Sequence, residues 1–368
     1  MNQYERELSL PKVGKEVLFL HTDENVSRVG EGAFLRLKSG AILYAYTEYC
    51  SDNYHDHGEA NIAAIYSYDE GETWQDKHIL IYKDADAANL MSVSFLRLSE
   101  EEILIFYLKK YKIGDRMMCV PQVRSSFDEG KTWGEARRCV AEDNYFILNN
   151  DRVLRLQNGR IIMALAYNGP DGVKGKHGEA VRYTVSDDNG KTWHDNGICH
   201  AMPFENLRGF EGPGMYQHED GTIWSYYRTN VGCQFEAVST DNGDSFSTPK
   251  PSVFFTGARS PMLVKKLWGT HTAAVWNPIS LYTGRNLGKL RGRAPLMLAV
   301  STSDGIGHGK EAFDKLFLIE DDFGNDYSYP AIIDGNGYFL VAYYHSNGRE
   351  KPLNCLKITK IQKEEIAE

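Results

Sequence analysis

The stretch at residues 67–74, SYDEGETW, recurs with small changes along the chain. SFDEGKTW spans residues 126–133, SDDNGKTW spans 186–193 and STDNGDSF spans 239–246. The four copies share a serine, an aspartate, a glycine and an aromatic residue in fixed order. They recur at intervals of roughly 60 residues, a period typical of propeller blades and repeat arrays. The stretch STSDGIGH at 301–308 is interpreted as a decayed fifth copy.

Short strand patterns surround each copy in the same order. AFLRLKSGAILYAY alternates apolar and other residues around a Ser39-Gly40 turn, which predicts a hairpin. NIAAIYS predicts a third strand that enters the repeat, and KHILIY predicts a fourth after it. The pattern can be followed through six modules. The last module lacks a fourth strand, and EVLFL at residues 16–20 is a spare strand that could supply it.

These patterns predict an all-β fold. The expected architecture is a six-bladed β-propeller of four-stranded antiparallel blades, closed by the N-terminal strand, with residues 1–368 forming one domain. Each repeat then occupies the turn between strands three and four. Its glycine supplies a positive φ, and its aspartate accepts hydrogen bonds within the turn. Four equivalent copies cannot all form one active site, so we interpret them as structural.

The same reasoning applies to other recurrent residues. Arg36, Arg97 and Arg155 occupy one repeated position in FLRLKSG, FLRLSEE and VLRLQNG. Their recurrence indicates a structural role. Functional residues are therefore sought among those that no other module repeats.

Composition and charge narrow the possible partners. The formal net charge is -9, which argues against nucleic acid, because phosphate binding needs a basic surface. The six cysteines are scattered without a CxxC pair, which favours free thiols over a zinc ribbon or a disulfide framework. The N-terminal segment contains no long apolar run, so neither a signal peptide nor a membrane span is predicted. A cytoplasmic location is expected, although a trimmed secretion signal stays open, as does the oligomeric state.

Strand direction predicts which face carries the function. Strands alternate in direction within a blade, so the starts of strands one and three and the end of strand two share one face around the central axis. The repeats lie on the opposite face. Nine non-repeated polar residues are expected on the functional face: Arg28, Asp56, Asn150, Asp151, Arg152, Glu211, Arg228, Arg293 and Tyr327.

The repeats and this ordered series resemble the exo-sialidases and their Asp-box relatives, and the resemblance covers nearly the whole chain. It implies an arginine triad of Arg28, Arg228 and Arg293 that binds the carboxylate of the substrate. It further implies that Tyr327 is the nucleophile, that Glu211 accepts the phenolic proton and that Asp56 is the acid/base. Asn150, Asp151 and Arg152 are expected to line the ligand site. No cofactor is implied.

The sequence leaves alternative residues open for three of these roles. Asp52 or Asp151 could replace Asp56, Arg285 or Arg291 could replace Arg293, and Tyr329 could replace Tyr327. His55 and His57 flank Asp56, but their spacing suits one metal ion poorly, and a polar loop is preferred.

The chain departs from the sialidase pattern in two places, so the sugar is not determined. Arg28-Val29-Gly30 stands in place of Arg-Ile-Pro, and the final YE pattern is replaced by YYHSNG. The prediction is a retaining exo-glycosidase acting on a terminal acidic sugar. The alternatives are a non-catalytic glycan-binding propeller and a propeller glycosidase or lyase that acts on another sugar.

Overall fold

The computed structural model describes residues 9–169, 174–281, 287–303, 312–346 and 351–367. These residues form β-strands and one short helix at the C-terminal end, α1 (Glu364–Ala367). Within these ranges no helix reaches the length and hydrophobicity that crossing a bilayer requires. Residues 304–308 of the decayed repeat and the alternative Arg285 lie outside the described residues.

Four sheets have the size of a propeller blade. One contains β10 (Phe146–Ile147), β11 (Leu154–Arg155), β12 (Ile161–Tyr167), β13 (Ala180–Ser186) and β14 (His194–His200). The next contains β15 (Glu211–Gln217), β16 (Ile223–Arg228), β17 (Cys233–Ser239) and β18 (Lys250–Thr256). A third contains β19 (Leu263–Lys266), β20 (Thr272–Trp276), β21 (Leu296–Ser301) and β22 (Lys315–Glu320). The fourth contains β23 (Tyr327–Asp334), β24 (Tyr338–His345), β25 (Cys355–Gln362) and the N-terminal strand β1 (Lys15–Leu20).

The fifth sheet is larger than predicted. Its eight strands are β2 (Arg28–Arg36), β3 (Ile42–Tyr49), β4 (Ala60–Ser67), β5 (Gln75–Ile81), β6 (Ala87–Arg97), β7 (Ile103–Ile113), β8 (Arg116–Ser126) and β9 (Arg137–Arg138). A parallel bridge between Ala60 and Asn89 joins β4 to β6. The all-β, propeller-like class is confirmed. The described residues do not form six separate sheets, because this bridge joins the first two modules.

The N-terminal strand pairs as predicted. β1 runs antiparallel to β25, with Lys15 opposite Lys360 and Leu20 opposite Leu356. The first repeat also meets the last module, since a Cβ on Gly71 would lie 2.8 Å from Leu340 Cδ1. The strands β1 and β25, near the two ends of the described chain, therefore lie side by side.

The repeats are hydrogen-bonded turns. Asp128 accepts from the Ser126 hydroxyl at 2.8 Å, the Thr132 amide at 2.9 Å and the Thr132 hydroxyl at 2.6 Å. Gly130 has φ of 80° and donates to the Ser126 hydroxyl. The other three repeats have equivalent bonds. The structural interpretation of the repeats is confirmed.

The aromatic residue of each repeat packs into the apolar layers between modules. Trp193 meets Phe106 of β7 edge to face, with ring centroids 5.9 Å apart. Phe246 stacks on Tyr183 of β13 at 4.1 Å. The recurrent arginines also have structural partners. Arg97 donates to the carbonyl of Arg36 and to Glu129, and Arg155 donates to the carbonyl of Leu98.

Candidate active site

Four strands, β2, β6, β15 and β23, and the turn between β10 and β11 share an unusual backbone feature. φ is positive at Glu31 (54°), Ser92 (62°), Asp151 (57°), Gly212 (44°) and Tyr329 (55°). Such a conformation costs roughly 1–3 kcal/mol at a non-glycine residue and is concentrated at functional sites. Bulges accompany it in β2, β6, β15 and β23. In the eight-stranded sheet the bulges of β2 and β6 bring side chains of the first two modules into contact, since Ser92 Oγ donates to Glu31 Oε2 at 2.5 Å.

Arg28 begins β2 and is almost completely buried. Its Nη1 donates to Asp56 Oδ1 at 2.6 Å, and its Nη2 donates to Glu31 Oε1 at 2.8 Å. Its Nε donates to the Tyr344 hydroxyl at 2.8 Å. The guanidinium also faces the rings of Tyr49 and Tyr344. Arg28 is therefore rigidly oriented, and Glu31 provides a buried carboxylate partner from the same strand.

Asp56 lies in the loop between β3 and β4. Its side chain keeps 61% of its exposure even though it contacts the buried Arg28. Partial burial opposes ionisation, but Arg28 and then Lys110 outweigh it and hold the pKa of Asp56 below its usual range. The ligand-free Asp56 is therefore an ionised, paired carboxylate.

Glu211 begins β15 and Arg228 ends β16, and the two lie opposite each other in the sheet. Arg228 Nε lies 3.9 Å from Glu211 Oε2. Arg259 binds both oxygens of Glu211, one of them at 2.5 Å from Arg259 Nε. Burial alone would raise the pKa of Glu211, but Arg228 and then Arg259 lower it to about 2. Glu211 is therefore ionised and faces guanidinium groups on two sides.

Tyr329 lies between two of the predicted arginines. Arg228 Nη1 approaches its hydroxyl at 3.4 Å, and the Arg293 guanidinium lies 5.5 Å from its ring centroid. Burial alone would raise the pKa of Tyr329, but Arg228, joined by Arg293, outweighs this effect and lowers the pKa. Burial lowers the pKa of Arg293 itself to about 10. Nearby cations that favour a phenolate are what a tyrosine nucleophile requires.

Tyr327, the tyrosine chosen from the sequence, lies elsewhere. Its ring is buried in the apolar cluster between the last two modules, against Tyr343 and His345. Its hydroxyl donates to the carbonyl of Asp322 at 3.1 Å. Burial and then Glu320 raise its pKa. The structure thus brings Tyr329, the alternative, to the arginines and leaves Tyr327 in the core.

The three consecutive residues Asn150, Asp151 and Arg152 brace the centre of the fold. Asn150 Nδ2 lies within hydrogen-bond distance of the carbonyls of Gly32, Tyr329 and Pro330.

Asp151 pairs with Lys265 at 2.7 Å and accepts from the amide of Ile332. Arg152 donates to the carbonyls of Gly212 and Met262. Their hydrogen-bond partners are protein groups. Asp151 and Arg152 also line a separate cavity at β11, β15 and β19, and Asn150 supports the backbone of Tyr329.

Two adjoining cavities meet at Asp56 and Tyr329. The first, the arginine pocket, has a volume of about 190 Å³ and is lined by Arg28, Tyr54, His55, Asp56, His57, Arg291, Arg293, Tyr329, Pro352 and Leu353. The second, the polar recess, has a volume of about 80 Å³ and includes Glu31, Ser92, Lys110, Asn149 and Arg228. A larger cavity of about 400 Å³ lies at β11, β15 and β19 but contains none of the triad arginines. Convergence of charge, rather than size, therefore marks the candidate site.

Sequence reasoning did not select several residues that the structure places at or beside this site. They are Glu31, Lys110 and Arg259. Arg291, which the sequence offered as an alternative to Arg293, also lines the arginine pocket. Glu31 was detectable, because it lies three residues after Arg28 in the segment directly before the predicted first strand. Lys110 had no signal, since it sits in a run of lysines and tyrosines at the end of a hairpin strand. No group of three or more His, Cys, Asp or Glu within the described ranges is arranged to hold a metal ion.

The family model for the BNR repeat-like domain matches residues 55–341. The chain belongs to the BNR repeat-like family. The resemblance to the sialidase and BNR-repeat superfamily is thereby confirmed at the level of the family. No curated protein matches the chain significantly.

Solved structures share the fold of this BNR repeat-like chain at low identity. A protein of unknown function from Dyadobacter fermentans is 16% identical, with a TM-score of 0.71 over 95% of this chain and 99% of that chain. The intramolecular trans-sialidase of Ruminococcus gnavus is 14% identical, with a TM-score of 0.69 over 96% and 98%. A leech intramolecular trans-sialidase is 13% identical, with a TM-score of 0.71 over 100% and 73%. Likeness at these identities establishes the fold alone.

Proposed function

We propose that this BNR repeat-like chain is a sialidase-like retaining exo-glycosidase that acts on a terminal acidic sugar, with Tyr329 as its nucleophile. The observation that carries the proposal is the position of Tyr329, which contacts Arg228 and Arg293 and shares a cavity with Arg28 and Asp56. We also propose that the eight-stranded sheet represents two blades. Residues 1–368 would then form one six-bladed domain.

The arginines suit a carboxylate attached to the anomeric carbon. A guanidinium offers paired donors that match a carboxylate, and it stays charged when buried. Arg28, Arg228 and Arg293 would bind that group and place the anomeric carbon at the Tyr329 hydroxyl. The carboxylate of such a substrate would repel a carboxylate nucleophile, whereas neutral tyrosine avoids this repulsion. Sialidases use a tyrosine for this reason instead of a second carboxylate.

Proton transfer involves two acidic residues in this scheme. Glu211 receives the phenolic proton, since it is the ionised carboxylate that shares Arg228 with Tyr329. Asp56 protonates the leaving oxygen as the Tyr329 oxygen bonds to the anomeric carbon, and it later takes a proton from the water molecule that displaces Tyr329. Glu211 then returns the phenolic proton to Tyr329, and the two displacements at one carbon give net retention. Asp56 is paired with Arg28 before substrate binds. A substrate carboxylate that takes its place on Arg28 would both release Asp56 and raise its pKa, because it removes a cation and adds an anion.

Aryl glycosides, including the sialoside, test this proposal with the wild type, Tyr329→Phe and Tyr327→Phe. We expect the wild type to release the phenol with retention at the sugar. Tyr329→Phe should lose at least ~100-fold in kcat, the usual scale for a missing catalytic group. Tyr327→Phe is the matched control and should retain most activity. Equal activity of the wild type and Tyr329→Phe would remove Tyr329 from the mechanism.

A glycan-binding protein without turnover is the second candidate. It is favoured by the pairing of both proton-transfer groups with arginines, Asp56 with Arg28 and Glu211 with Arg259. Saturable binding of a sugar acid without hydrolysis of any aryl glycoside would support it.

A further inference from the structure

The loop that carries Asp56 is held by side chains of β6 and β7. Lys110 Nζ donates to the Asp56 carbonyl at 2.6 Å. Asn89 Nδ2 lies 3.0 Å from the same carbonyl and 2.8 Å from the carbonyl of Gly58. The parallel bridge from Asn89 to Ala60 fixes the end of the loop. The contact that joins the first two modules is therefore part of the support for Asp56.

Lys110 is an unusual residue for a purely structural contact. It is only 2% exposed, and no carboxylate in the described part of the chain lies within ion-pair distance of its ammonium. Its Nζ also faces the ring of Tyr145 at 5.6 Å. Burying an ammonium without an ion pair is costly in free energy. An apolar residue would fill the same space without this penalty, so the ammonium itself requires an explanation.

The neighbouring Lys109 shows the ordinary arrangement. It points to the other side of β7 and pairs with Asp84 at 2.8 Å and with Asp86 at 2.9 Å. Lys109 and Lys110 are thus adjacent lysines on one strand, and only Lys110 lines the polar recess together with Asp56 and Tyr329. Lys109 can therefore serve as the control residue for substitutions of Lys110.

Besides holding the Asp56 backbone, the Lys110 ammonium is one of the charges that act on the Asp56 carboxylate. Arg28 and Arg291 act on the Asp56 carboxylate from the side of the arginine pocket, and Lys110 acts from the side of the recess. Glu31 and His57 also lie close to this group of charges. If a substrate anion neutralises Arg28, Lys110 and Arg291 remain as cations near Asp56.

We propose that Lys110, assisted by Asn89, is a positioning residue that fixes the backbone of Asp56 while its carboxylate moves from Arg28 to the leaving oxygen. This inference rests on the proposed role of Asp56. The backbone clamp leaves the side chain free to rotate, which an acid/base needs, and prevents the exposed loop from drifting away from Tyr329. A displacement of about 1 Å at such a group can lower a rate by about 100-fold.

The test compares Lys110→Met with Lys109→Met, and each variant is measured in two ways. Backbone amide exchange over residues 50–59 reports the clamp directly and does not depend on catalysis. We expect at least tenfold faster exchange in Lys110→Met and no change in Lys109→Met. Using the aryl glycoside that the wild type cleaves best, we expect kcat to fall at least tenfold in Lys110→Met with KM little changed, because the arginines remain in place.

Lys110→Arg should restore most of the exchange protection and of kcat. If Lys110→Met does not fold, Asn89→Leu replaces it with the same expected direction. Unchanged exchange in Lys110→Met would overturn the inference even if the protein cleaves no glycoside. Unchanged kcat in Lys110→Met, alongside a large loss in Tyr329→Phe, would overturn the inference and leave the proposed function intact. Faster exchange in a protein that cleaves no glycoside would support the clamp and count against the enzyme.

Discussion

Arg28 Nη1 lies 2.6 Å from Asp56 Oδ1, so the arginine expected to bind the substrate already holds the residue expected to donate the proton. Nη2 of the same guanidinium pairs with Glu31 Oε1. Under the proposed function, a substrate carboxylate would take the place of Asp56 on Arg28, whereas Glu31 could stay. Binding of the anion and release of the acid would then be coupled through one side chain.

The first prediction concerns the charge of Asp56. Arg28→Met should raise the pKa of Asp56 toward the ordinary aspartate value of about 3.9, because its nearest cation is removed. Carbon-13 NMR titration of the aspartate carboxyls measures this change. Arg160→Met, which removes an arginine paired with Asp187 and Asp244, is the control and should leave Asp56 unchanged. An unaltered Asp56 titration in Arg28→Met would contradict the coupling.

The second prediction separates the two tyrosines by stability. Tyr327→Phe loses one hydrogen bond to the carbonyl of Asp322 and should lower the free energy of unfolding by about 1 kcal/mol. Tyr329→Phe should change stability less, because its hydroxyl has only a long contact of 3.4 Å with Arg228. Urea denaturation of both variants measures the difference. A larger stability loss in Tyr329→Phe would mean that its hydroxyl is a structural group.

The third prediction concerns Glu31. Glu31→Gln removes the buried carboxylate partner of Arg28, and breaking a buried pair costs about 3 kcal/mol or more. Glu219→Gln breaks a half-exposed pair with Lys266 and should cost less than about 1 kcal/mol. Chemical denaturation at pH 7 compares the two variants. Similar losses would show that Asp56 alone can balance Arg28.

The fourth prediction concerns acid stability. Hydrogen bonds from Thr132 and Thr192 hold the pKa of Asp128 and Asp188 at about 2. A pKa below the unfolded value means that each group stabilises the fold fully above about pH 4. This contribution is lost as the pH falls toward 2. Unfolding measured between pH 5 and 2 should show falling stability, with a smaller fall in Asp128→Ala.

Asp115→Ala, in the exposed β7–β8 turn, is the control for that measurement. Its pH dependence should match the wild type. At pH 7, Asp128→Ala should be less stable by about 1–3 kcal/mol, since it leaves turn donors unpaired. If Asp128→Ala and Asp115→Ala have the same stability and the same pH dependence, the aspartates of the repeats do not stabilise their turns.

The local pattern of the sequence predicted much of the architecture. The repeats, the hairpins and the spare strand at residues 16–20 are local signals, because hydrophobic alternation and turn chemistry act over a few neighbouring residues. The structure confirmed the pairing of that strand with β25. Six separate four-stranded sheets were not observed in the described residues, because the Ala60–Asn89 bridge joins residues that no local pattern relates.

The sequence by itself determined the all-β repeat and brought Arg28, Arg228 and Arg293 onto the candidate list, since their places at strand ends follow from alternating strand direction. Only the tertiary structure shows that Tyr329, and not Tyr327, lies beside these arginines. Residues two apart in a regular strand face the same side, so alternation cannot distinguish them. The bulge after Ser328 and the φ of 55° at Tyr329 break that regularity, leaving Tyr327 in the core and Tyr329 between the arginines.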